Sequence, residues 1–62
     1  MDGHLSMAAR QLRAMLARER GDNAEVELLH QMRLLQPHAH VTGAYDLSPI
    51  GLQTLSELRK RS

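Results

Sequence analysis

The sequence predicts a mainly α-helical fold: three short helices at about residues 5–20, 23–36 and 49–61, with a loop or short β-ribbon at 38–46. Three observations carry this. Apolar residues recur at helical spacing in three separate stretches, and each stretch is bounded by glycine, proline or capping residues. The bulk of any core must come from eleven Leu and three internal Met, good helix formers, with Tyr45 the one aromatic residue and no Cys at all. Sixty-two residues make a single small domain, 1–62. A chain of this size buries only about 60% of its unfolded surface. Without cysteine it has neither disulfides nor zinc–thiolate sites to supplement the core. Close helix packing and association with a second copy or a partner are the remaining sources of stability.

In the first helix, Leu5, Ala8, Ala9, Leu12, Met15 and Leu16 fall on one face at the i, i+3, i+4, i+7 spacing. Gly21 follows as a left-handed stop, with Arg18 and Arg20 complementing the carbonyl end of the dipole. Asp22 is placed to cap the next helix, with Glu25 completing a capping box. That helix carries Ala24, Leu28, Met32 and Leu35 on one stripe, widened by Val26 and Leu29, with Leu34 apart from it. The apolar arc is wider than one short neighbour can cover, and Pro37 is expected to end the helix. Val41, Thr42 and Gly43 suit a hairpin turning at Thr42-Gly43. The third helix has Ser48 as cap, Pro49 at its first position, and Leu47 placed to staple against Leu52. Ile50, Leu55 and Leu58 are expected to face inward, and Gly51 on that same face to admit a close backbone.

Charge is nearly balanced, with eight basic residues against seven acidic. That is far from the strongly basic profile of a dedicated nucleic-acid protein. Basic groups nevertheless collect locally, at Arg10, Arg13, Arg18 and Arg20 and again at Arg59, Lys60 and Arg61. His38 and His40 could share one side of an extended strand, but a third ligand would have to come from His30, Asp46 or another chain. Nothing in the spacing brings one near, so no metal and no cofactor is expected. No activated nucleophile, paired carboxylates or Gly-rich phosphate loop is present, and the chain is not expected to be an enzyme. The start contains Asp2 and His4, and no apolar run approaches the ~18 residues of a membrane span. No membrane association and a cytoplasmic location are the expectation.

The stretch Tyr45-Asp46-Leu47-Ser48-Pro49-Ile50-Gly51-Leu52-Gln53-Thr54-Leu55 resembles the passage from wing to following helix in winged-helix transcription regulators of the MarR and PadR kind. There a strand ending in Tyr-x-Leu leads into Ser/Thr-Pro-x-Gly and a Leu-rich helix. Upstream, Met32-Arg33-Leu34-Leu35 followed by Val41, Gly43 and Tyr45 is similar to a recognition helix and its wing, so that the likeness covers residues 28–58. It implies a reduced winged helix and a role in transcription regulation.

Two functions follow. The first is a small regulatory protein that binds another protein, such as a transcription factor or an enzyme, and forms a homodimer. Its interface is expected at Val26, Leu29, Leu34, Leu55 and Leu58, from the excess apolar arc. The alternative is a compact winged-helix-like DNA binder using Gln31, Arg33, His38, His40, Thr42, Arg59, Lys60 and Arg61. Glu25 and Glu27, which would repel phosphate at the start of its recognition helix, put this second.

Overall fold

The computed structural model describes residues 4–21 and 24–61. In chain order the elements are β1 (His4–Leu5), α1 (Met7–Arg20), α2 (Val26–Gln31), β2 (Leu35–Pro37), β3 (Ala44–Leu47) and α3 (Pro49–Arg61). The fold is mainly helical, with a three-stranded sheet in the order β1-β3-β2. Strand β3 pairs antiparallel with β2, Leu35 opposite Leu47 and Pro37 opposite Tyr45, and parallel with β1, His4 opposite Ala44. This arrangement is consistent with a reduced winged-helix-like fold.

Helix α1 begins two residues later than expected because Leu5 is taken into β1. Ser6 caps it, its Oγ accepting from the Ala9 amide at 3.1 Å. Its end is as expected: Gly21 is left-handed at φ 72° and its N–H returns to the Ala17 carbonyl. The second helix is less than half the predicted length. Asp22 and Asn23 lie outside the described residues. Glu25 is itself the N-cap and makes no side-chain capping bond, so it does not serve as the third helical residue of a capping box. Just before it, buried Ala24 is held against α1, where its carbonyl accepts from Arg13 Nε at 3.0 Å.

At its other end α2 stops well short of Pro37. Arg33 adopts φ 60°, its N–H bonds the His30 carbonyl, and the Leu34 N–H bonds the Leu29 carbonyl. These two bonds around a left-handed residue make a Schellman motif, with Leu34 and Leu29 as its apolar pair. Had the helix continued, Leu34 would have pointed away from the stripe into water. By turning at Arg33 the chain buries Leu34 and Leu35 to 3% and 4% exposure. Pro37 sits at the end of edge strand β2, where a missing N–H leaves no ladder bond unmade. The expected ribbon exists, displaced to Leu35–Pro37 and Ala44–Leu47 with its tip at 38–43, and Gly43 takes φ 81°.

Helix α3 spans the expected residues. Ser48 Oγ accepts from the Gly51 amide at 3.0 Å and donates to the Arg33 carbonyl at 2.6 Å, while the Ser48 N–H reaches the Leu34 carbonyl. Gly51 is as expected a close-approach glycine: a Cβ there would lie 2.1 Å from the Leu34 carbonyl oxygen. Two expectations for this helix fail. Ile50 and Leu52 are more than half exposed, so Ile50 does not face inward and Leu52 gains little from any staple. The core instead gathers Leu12, Leu16, Leu29, Leu34, Leu35, Leu47, Leu55 and Leu58 with Ala9 and Ala24.

Candidate protein-docking site

The residues expected to form an apolar interface are the core of the single chain. Leu29, Leu34 and Leu55 are at most 3% exposed, so a partner could reach them only by opening the fold; Leu58 keeps a small exposed edge, and Val26 is half-buried and packed against the core. The apolar arc that suggested an interface is resolved by the early stop of α2, which turns the surplus leucines inward.

The residues proposed for nucleic acid do not share one surface. Gln31 and Arg33 are exposed near the end of α2, and His38, His40 and Thr42 lie in the hairpin tip. Arg59, Lys60 and Arg61 are at the far end of α3, about 18 Å along the helix from the Ser48 that touches Arg33. The His38 and His40 rings stand 6.1 Å apart, edge to face, and His38 Nδ1 accepts from the His40 and Val41 amides. That lone pair is therefore used in shaping the tip. Among the described residues no group of three or more His, Asp or Glu side chains is placed to hold a metal ion.

Charge is divided by layer. Helices α1 and α3 carry seven of the eight basic side chains, all but Arg33, and only two acidic ones, Glu19 and Glu57. The two helices run side by side in the same direction. Both start at β3, where Ser6 Oγ donates to Asp46 Oδ1 at 2.8 Å and Ser48 follows Leu47; their last turns are joined by Arg61–Glu19 at 2.8 Å, and Arg59 reaches back to Gln11 in the first half of α1. Their carbonyl ends thus lie together, with Arg18, Arg20, Arg59, Lys60 and Arg61 around them. Among the described residues of the two helices five cations stand against two carboxylates and two helix ends worth roughly half a negative charge each, so the charge of this end is basic.

Between these ends is a cleft of about 250 Å³, lined by Met15, Arg18, Glu19, Leu58 and Arg61. Its apolar part is the half-buried Met15 and the edge of Leu58, and its rim is charged. A recess of this kind suits one aliphatic side chain flanked by acidic groups. On the other flank of α1, a second recess of about 270 Å³ is lined by Arg10, Arg13, Ala14, Ala17 and Ala24. The basic runs and the apolar placement of Met15 are visible in the sequence, but the cleft is not, because it arises only where α1 and α3 lie side by side and bring Met15 and Glu19 to Leu58 and Arg61.

The titration of Asp46 is displaced. The Ser6 hydroxyl, then the Leu47 amide at 2.8 Å, hold its carboxyl below the ordinary 3.8, and His38 nearby adds to the effect. Tyr45 meets His30 edge to face at 5.4 Å, tying α2 to the sheet. No helix among the described residues is long and apolar enough to cross a membrane. Comparison with protein-family models, curated proteins and solved structures returns no match.

Proposed function

We propose that this chain is a small non-enzymatic regulatory protein of the cytoplasm that acts by binding another protein and works as a homodimer. The observation that carries this reading is the cleft between the carbonyl ends of α1 and α3, where Met15 and Leu58 offer an apolar floor inside a rim of Arg18 and the Arg61–Glu19 pair. Phosphate backbone has no group that uses such a floor, whereas a protein segment with an aliphatic anchor does. The docking surface of this proposal is therefore the cleft in place of the buried leucines. The test is affinity capture with the wild-type chain and with Arg18→Glu. A specific protein retained by the first and lost from the second supports the reading; equal retention by both overturns the cleft as the docking site.

The hairpin after α2 favours the second reading, a winged-helix-like DNA binder, because its tip presents His40 and Thr42 to solvent. Against it stand Glu25 and Glu27, exposed at the start of α2. Phosphate-dominated binding falls steeply with salt. Fluorescence anisotropy with non-specific duplex at low ionic strength separates the two readings: no binding at tens of micromolar protein removes the DNA one.

A further inference from the structure

We infer that the occupant of the basic cleft is a second copy of this chain, docking through Leu28 of α2 and the Glu25 and Glu27 carboxylates on either side of it. The inference rests on the protein-binding reading and names the partner at the same site. Glu25 and Glu27 are exposed, Val26 and Leu28 are half-buried, and neither carboxylate is paired with a cation among the described residues. At helical spacing Leu28 stands between Glu25 and Glu27 while Val26 turns the other way, against the core, so the segment shows one aliphatic side chain flanked by acidic ones. That is the chemistry the Met15 and Leu58 floor and Arg18 on the rim would recognise, Arg61 being held there by its pair with Glu19.

Charge complementarity is what selects a second copy. The net charge is +1, so two copies approach with little overall repulsion. Within each copy, however, the sign is segregated: positive on α1 and α3, negative before and along α2. Such a molecule is complementary to itself, and its opposite surfaces orient the encounter. The two surfaces lie on opposite flanks of α1: the cleft is on the side of Met15 and Glu19, while the acidic segment starts from Ala24, which lies against Arg13, Ala14 and Ala17. Each copy supplies both surfaces, and a two-fold axis running alongside α1 sets the cleft of each copy against the acidic segment of the other, so that two reciprocal contacts close the pair. The accessible surface is 4576 Å², and a modest interface of about 500 Å² per copy is roughly a tenth of it, the share usual for a small protein.

The experiment is sedimentation equilibrium on two complementary variants. Arg18→Glu/Lys60→Glu makes the basic end acidic while sparing the Arg61–Glu19 pair, and Glu25→Arg/Glu27→Arg makes the acidic segment basic. All four positions are exposed, and circular dichroism melting verifies that each variant is folded. Wild type is expected to self-associate in the micromolar range, weakening about tenfold between 50 and 500 mM salt. Each variant alone is expected to be monomeric, and an equimolar mixture is expected to recover a dimer, since both reciprocal contacts are then again of opposite sign. A wild-type dimer insensitive to salt and to both variants overturns this interface while leaving homodimerisation standing. A wild-type monomer at all salts overturns the homodimer itself. Variants that stay monomeric when mixed overturn the charge-paired contact.

Discussion

Two serines begin the two long helices, and each is used twice. Ser6 and Ser48 both accept from the amide three residues on, and both donate across the fold to β3's surroundings. They differ in what receives the hydroxyl proton. Ser6 gives it to the carboxylate of Asp46 in a half-buried position, and Ser48 gives it to the main-chain carbonyl of Arg33 beside the core. The same capping chemistry thus makes one joint that depends on a titratable side chain and one that depends on backbone alone. The second is also locked sterically, since Gly51 lets α3 rest against the Leu34 carbonyl.

The sharpest way to break the backbone joint is Gly51→Ala. Its Cβ would meet the Leu34 oxygen at 2.1 Å, and a backbone atom cannot rotate away. A loss of about 3 kcal/mol or more is expected, enough to unfold much of a domain this small, read by urea denaturation. Ser48→Ala comes next. It leaves the Arg33 carbonyl and the Gly51 amide without this partner, for a loss of about 2 kcal/mol by the same measurement. Ser6→Ala should cost about 1 kcal/mol, because its side of the fold is closer to water.

Asp46→Asn is the smallest and the most specific. Because the folded carboxyl titrates below 3.8, its contribution is fully present above that value and is lost as pH falls through the folded pKa. Wild type should therefore lose stability on acidification toward pH 3, and the Asn variant, which lacks the carboxylate at every pH, should lose less over that window, so that the small difference at pH 7 narrows toward pH 3. Thermal melts at pH 7, 5 and 3 check this. Ser48→Ala should leave the wild-type acid response unchanged, since no titratable group takes part in that joint. Equal flattening of the pH response by Ser48→Ala and Asp46→Asn would erase the distinction between the two joints.

The contrast also explains what could be read in advance. Helix α3 and the end of α1 were legible because their signals are local: Ser48-Pro49 opens one and Gly21 closes the other. The end of α2 was not, because the left-handed residue there is Arg33 and not a glycine or asparagine, and only the burial of Leu34 makes that conformation worthwhile. Strand β1 escaped for another reason. Two residues carry no periodicity, and their partners Ala44 and Tyr45 lie far along the chain. Of the candidate site, the cations could be seen in the sequence, but their convergence could not. Arg18 and Arg61 meet through the parallel course of two helices separated by half the molecule. The Leu-Ser-Pro-Ile-Gly stretch, which suggested a family likeness, is accounted for by Ser48 and Gly51 gripping residues 33 and 34.

The pairing of His4 with Ala44 has a kinetic consequence. The hairpin of β2 and β3 closes over a short loop, while β1 can join only after a segment of about forty residues has been brought round, and a two-residue strand returns little for that loss of chain freedom. The first strand should therefore be the last element to dock and the first to leave. Amide hydrogen exchange would register this as rapid exchange at His4 and Ser6, whose N–H groups bond Gly43 and Tyr45, beside slow exchange across β2 and β3.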